Sequence, residues 1–186
     1  ENRLPTGYAM PTFTLLGQAV VRLPFITETS LGHEVLHSWF GNAVGVDGSQ
    51  GNWCEGLTTY LADQSFAADK RADAAFRKQQ LINYQSSVAP DNTVALKDFS
   101  GAGSHVPSGD KANRAVGYDK GSMLFHMLFR EIGDAPFYAG LREFYARFRN
   151  RQAGWQDLAA SFSTSSHQNL EPFFSQWLSR ADVPRL

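Results

Sequence analysis

Apolar positions recur every three or four residues through the last third of the chain. Phe137, Leu141, Phe144, Tyr145 and Phe148 form one stripe, Trp155, Leu158, Ala159 and Phe162 a second. Leu170, Phe173, Phe174, Trp177 and Leu178 form a third. Each stripe covers one side of a helix, so the pattern predicts three successive amphipathic helices. Residues 118–132 are apolar almost all round, which predicts a buried helix ended by Gly133, with Asp134 capping the next. Residues 55–86 hold almost no breakers and many alanines, which predicts one long helix whose first apolar patch is Leu57, Tyr60 and Leu61. Ser30 is a candidate N-cap for a helix reaching about Phe40, with Gly41 and Asn42 as its stop. Residues 1–29 read as extended, with β candidates at 13–16 and 20–23. Stretches 43–52 and 88–114 read as loops, and no repeat is present. The expected fold is mainly α (α+β). It is a single domain over 1–186, with an extended or β edge over 1–29 and a helical lobe over 30–186.

Composition narrows the function classes. With 17 Lys and Arg against 18 Asp and Glu, the formal net charge is −1, which lacks the basic excess of a nucleic-acid binder. Apolar residues at 42% and aromatic residues at 13% supply a substantial core. The lone Cys54 excludes an intrachain disulfide framework and a multi-cysteine zinc module, while leaving localisation open. Residues 4–21 carry no charge, but Pro5, Pro11, Gly7 and Gly17 would break a membrane-spanning helix. No targeting pattern is visible either. The glycines of 88–114 lack the spacing of a phosphate cradle. Arg142, Arg147, Arg149 and Arg151 read as a solvated helix face.

The candidate chemistry lies in His33-Glu34-Val35-Leu36-His37. Two histidines four apart on a helix point the same way, because four steps of ~100° return to within about 40°. They sit roughly 6 Å apart along the axis, so both imidazoles can reach one metal ion. Glu34 lies beside that face, where a carboxylate can reach a water at the metal without ligating it. Such a five-residue pattern also occurs by chance, and helical histidines are often ordinary core or surface residues. Glu55 opens the next predicted helix and is a candidate third ligand, although a first-turn carboxylate is also favoured simply by the helix dipole. The short intervening loop lets the two helices pack antiparallel, which returns Glu55 to the histidine face. Two nitrogens, a carboxylate and an open fourth position suit catalytic zinc.

At this point the chain resembles a known family, the membrane alanyl aminopeptidases, zinc metallopeptidases of the gluzincin group. The resemblance rests on three segments in order: His33-Glu34-Val35-Leu36-His37-Ser38-Trp39-Phe40-Gly41-Asn42, Asn52-Trp53-Cys54-Glu55-Gly56 and Tyr118-Asp119-Lys120-Gly121. The closing Phe174-Ser175-Gln176-Trp177 and Val183-Pro184-Arg185-Leu186 look like the end of that family's catalytic domain. The resemblance implies a thermolysin-like catalytic domain, part of a longer protein with further N- and C-terminal domains, holding one Zn(2+) per chain. It implies His33, His37 and Glu55 as metal ligands, Glu34 as general base and Tyr118 as the hydroxyl that stabilises the oxyanion. The substrate it implies is a peptide, and the reaction release of N-terminal amino acids. Seventeen residues separate His37 from Glu55, one fewer than is usual in the family, and the Gly/Ser/Asp loop can absorb the difference. The family also carries Gly-Ala-Met-Glu-Asn upstream, whose glutamate binds the substrate's free amine. Glu1, thirty-two residues before His33, is either that anchor or a plain chain end, and both readings stand.

Two further readings stay open. One is a non-catalytic metal-binding or interaction module of a larger assembly, which intact Glu34 and Tyr118 argue against. The other is a zinc hydrolase of another bond, such as an epoxide. Among the remaining residues, His126 reads as a hydrogen-bonded core histidine, and His105 and His167 as surface. Cys54 reads as a small buried thiol, Trp39 and Phe40 as core, and Asp119 with Lys120 as a surface ion pair. Thr58 and Thr59 are placed to support a ligand from behind.

Overall fold

The computed structural model describes residue 3, residues 7–101 and residues 111–181. Its elements are β1 (Gly7–Ala9), β2 (Thr14–Leu16), α1 (Ser30–Leu36), β3 (Phe40–Gly41) and β4 (Val44–Val46). Then come α2 (Cys54–Thr58), α3 (Gln64–Asp69), α4 (Asp73–Ser87), α5 (Lys111–Arg114) and α6 (Gly121–Ile132). The chain continues with α7 (Asp134–Phe148), β5 (Arg151–Ala153), α8 (Trp155–Ser166) and α9 (Glu171–Ser179). Two π turns, Thr59–Asp63 and Ala115–Lys120, join α2 to α3 and α5 to α6. The architecture is mainly helical, as expected. None of the described helices is long and apolar enough to cross a membrane.

The three C-terminal stripes form α7, α8 and α9, and together with α6 they build the core. Phe137 stacks on Phe162 with ring centroids 5.2 Å apart, and Phe125 stacks on Trp155 at 5.6 Å. Trp53 meets Phe144 edge-on at 5.2 Å, which ties the segment before α2 into this aromatic core. All six rings are essentially excluded from solvent, so this half of the molecule carries most of the hydrophobic stabilisation.

Six expectations need correction. Residues 20–23 form turns, and the strand that pairs with Thr14–Leu16 is Gly7–Ala9, antiparallel with Tyr8 opposite Leu15. The loop 43–52 contains β4, which pairs in parallel with β3 and with β5, Val44 facing Arg151 and Val46 facing Ala153. The helix from Ser30 ends at Leu36, with Thr29 as its cap. Asn42 gives both its backbone and its side-chain N–H to the His37 carbonyl, which closes the helix before Trp39 and Phe40. Phe40 turns inward while Trp39 is left 46% exposed, so only one of the pair is core.

The long helix of 55–86 is broken at residues 70–72. The Ala72 N–H reaches back to the Ala67 carbonyl and the Arg71 N–H to the Ala68 carbonyl, a Schellman end. Its left-handed position, φ +56°, is filled by Arg71. Glycine is the usual sign of such an end, and its absence hides the break. The buried helix predicted over 118–132 begins instead with α5 and the π turn that carries Tyr118.

Candidate metal centre

Local structure around each end of the site explains how three distant residues meet. The Asn52 side-chain carbonyl accepts the Cys54 N–H at 2.9 Å and so caps α2. Its backbone N–H bonds the Phe99 carbonyl, and the Trp53 indole donates to the Ala153 carbonyl at 2.7 Å. The start of α2, and with it Glu55, is therefore clamped from three sides. Gly56 faces Gly121 of α6 so closely that a Cβ on Gly56 would lie 2.7 Å from the Gly121 backbone. Only glycine at this crossing lets α2 approach α6 and present Glu55 to α1.

The Nε2 atoms of His33 and His37 each lie 3.4 Å from Oε2 of Glu55. Their Nδ1 atoms face away: His37 Nδ1 donates to the Phe40 carbonyl at 2.9 Å, and His33 Nδ1 to Asp63 Oδ2 at 3.1 Å. Those two acceptors orient the rings, turning both Nε2 atoms toward one point beside Glu55. A tetrahedral zinc with bonds of about 2.0–2.1 Å has neighbouring donors about 3.4 Å apart. Donor chemistry and spacing in this protein therefore fit zinc, and all three donor atoms lie within 4.8 Å of one another.

Electrostatics reflect the crowding. Burial is the largest influence on His33 and disfavours its charge. The hydrogen bonds and charges of Asp63 and Glu55 outweigh it, and the pKa is pushed up to about 10. Burial likewise opposes ionisation of Glu55, but the two histidines hold its carboxyl far below the usual range. Glu34 is raised by burial, against the pull of His33 and His37 and the N–H of Ala9 that its carboxylate accepts. Its side chain packs on β1, where a Cβ on Gly7 would lie 2.6 Å from Glu34 Cγ.

Tyr118 enters from the second π turn. Its ring stacks near His33 with centroids 6.0 Å apart, and its hydroxyl lies close enough to the Glu55 carboxylate to feel its charge. Burial and the Glu55 carboxylate push its pKa well up, so the phenol keeps its proton. These groups line a cleft of about 820 Å3 together with β1, α3, α4 and Arg114.

The expected residues His33, Glu34, His37, Glu55 and Tyr118 thus come together, while Glu1, His105 and 183–186 lie outside the described residues. Asp63 and Arg114 are additions. Asp63 is a charged residue two turns past Glu55 in an otherwise uncharged stretch, a signal that was present in the sequence. Thr58 reaches His37 Nδ1 at 3.4 Å, whereas the buried Thr59 hydroxyl has no partner among the described residues. His126 departs from the expected hydrogen-bonded core histidine, being half-buried with no partner for Nδ1 among the described residues, whereas Cys54 is buried as expected. Asp119 and Lys120 are not a surface pair: both are half-buried, and the Lys120 ammonium bonds the Arg180 carbonyl.

Residues 26–177 match the family model described as the peptidase family M1 domain. Among curated proteins, the chain is 26% identical over 158 residues to an alanine/arginine aminopeptidase of Saccharomyces cerevisiae, covering 83% of this chain and 18% of that protein. It is 25% identical over 162 residues to aminopeptidase N of Lactococcus lactis, covering 83% and 18%. The chain thus spans about a fifth of the length of these relatives. Among solved structures, an M1 zinc metallopeptidase from Deinococcus radiodurans superposes with a TM-score of 0.70 at 21% identity, over 98% of this chain and 39% of that one. A yeast LTA4 hydrolase superposes with a TM-score of 0.73 at 20% identity, over 97% and 30%.

Proposed function

The chain belongs to peptidase family M1, and on that premise we propose that it carries the hydrolytic centre of a zinc-dependent peptidase releasing N-terminal amino acids. The observation that carries the reading is the single Glu55 oxygen 3.4 Å from both histidine Nε2 atoms, with Glu34 beside it. The aminopeptidase names of the curated relatives support the direction of cleavage.

His33, His37 and Glu55 would hold one zinc ion, and Asp63 would fix the His33 ring. The ion, when bound, supplies Lewis-acid activation of water and polarisation of the scissile carbonyl. Glu34 takes the proton of the attacking water and returns it to the leaving amine. Burial suits it to both steps, because a raised pKa lets the carboxylate hold that proton between them. Tyr118 remains protonated through the neutral range and donates its O–H to the oxyanion as charge develops there. Recognition of the free amine is assigned to Glu1, on the resemblance alone.

Glu34→Gln tests the chemistry. The variant retains zinc at one equivalent while hydrolysis of amino-acid anilides falls by about 10²–10⁴-fold. Substantial residual turnover would remove Glu34 from the general-base role. Amino-terminally blocked peptides should resist the unaltered protein, and their ready cleavage would contradict release from the N-terminus. A zinc-loaded protein that cleaves neither substrate would be a binding module.

A further inference from the structure

The metal side of the cleft is acidic, with Glu34, Glu55 and Asp63 around the histidine pair. Two cations, Lys70 at the end of α3 and Arg114 at the end of α5, line the same cleft. Arg114 is exposed, and its guanidinium carbon lies 4.5 Å from the centroid of the Tyr118 ring. Among the described residues no carboxylate lies within ion-pair distance of it.

We propose that Arg114 is a specificity residue, recognising a carboxylate in the leaving portion of the peptide substrate. The carboxylate comes either from the peptide's C-terminus or from an acidic side chain just after the scissile bond. This inference rests on the peptidase reading above, in which the Tyr118 hydroxyl marks the reacting carbonyl.

Three physical points support it. Arg114 stands four residues before Tyr118, so one helical turn fixes the guanidinium relative to the phenol. With the ring between them, guanidinium carbon and phenol oxygen are separated by at most about 7 Å, the length of about two extended residues. A carboxylate one or two residues beyond the scissile bond falls within that reach. Stacking on the ring also holds the planar guanidinium while its N–H edges stay available for a bidentate carboxylate. Finally, the charge division of the cleft sorts the ends of a short peptide. The three carboxylates of the metal side outnumber the two charges of a bound zinc ion, so that side still disfavours the peptide's carboxylate and favours its ammonium, while Arg114 and Lys70 do the reverse.

The test compares kcat/KM of the zinc-loaded protein on leucyl-alanyl-alanine, its C-terminal amide, leucyl-aspartyl-alanine amide and aspartyl-alanyl-alanine amide. One or both of the first and third should exceed the plain amide by about tenfold, the effect of one charge-assisted contact. Which of them gains identifies the terminal or the side-chain source. The preference should shrink with added salt. Arg114→Met should bring the ratio to about one, and Arg114→Lys should restore part of it. Equal rates in the unaltered protein, a ratio that survives Arg114→Met, or a preference confined to an acidic first residue would overturn the proposal. Calorimetric binding of the same peptides to zinc-loaded Glu34→Gln makes the comparison without turnover. Equal affinities for acid and amide overturn the role of Arg114. Carboxylate-selective binding without hydrolysis by the unaltered protein counts against the peptidase reading alone.

Discussion

At the scale of single residues, the metal centre is a problem in proton placement. With no cation between them, Asp63 and Glu55 pull a proton onto His33, whose pKa of about 10 keeps it charged at neutral pH. Its Nε2 can ligate only after that proton leaves. Zinc binding should therefore release about one proton from His33, and apparent affinity should rise about tenfold per pH unit between pH 7 and 9. Calorimetry in buffers of different ionisation enthalpy measures the proton count, and a pH-independent affinity would contradict it. Asp63→Ala removes the acceptor that orients His33, so zinc affinity should fall about 10–100-fold. The ligand pattern was legible because helical spacing alone aligns His33 with His37. Asp63 was harder to read, because the π turn at Thr59–Asp63 decides which way its carboxylate faces, and no propensity marks a π turn.

Elements were legible where burial follows one helical period and obscure where a specific hydrogen bond ends a segment. The stripes of α7, α8 and α9 face an aromatic core and were readable directly. The break after α3 rests on a backbone geometry that Arg71 adopts against its preference, so residues 55–86 look continuous. Arg71→Gly should relieve that conformation and stabilise the protein by about 0.5–1 kcal/mol, seen as a rise of about 1–3 °C in Tm. A fall in Tm would show that the arginine side chain matters more than its φ. The second π turn offers a contrasting case in Asp119. Burial raises its pKa to about 7, against the pull of Asn83 and the charge of Arg114, so the fold disfavours its ionised form. A raised folded pKa means the contribution to stability is intact below about pH 4 and is lost as pH climbs through 7. Asp119→Asn should then match the parent at pH 4 and exceed it by about 2–4 kcal/mol at pH 8 in denaturant titrations. Equal stabilities at pH 8 would place Asp119 in contact with water.

Across the whole molecule, stabilisation and chemistry occupy different halves. The aromatic core of α6 to α9 is closed by packing that needs no ion, whereas α1 and α2 meet through His33, His37, Glu55 and Asp63, all partly or wholly withdrawn from water. A cation between those carboxylates and imidazoles replaces the crowding of buried charge with ligand bonds, so zinc should act as a staple across the cleft. At a free concentration of 100 Kd, binding contributes about 2.7 kcal/mol by mass action, equivalent to about 5–10 °C in Tm for a chain of this size. A strong chelator should lower Tm by that amount, and restored zinc should recover it. The location of the loss is the sharper criterion. Amide hydrogen exchange should accelerate in α1 and α2 after chelation, while α7 and α8 keep their protection because their contacts do not pass through the site. Uniform acceleration through all four helices would mean that the ion supports the entire fold, and the aromatic half would then lack the independence its packing indicates.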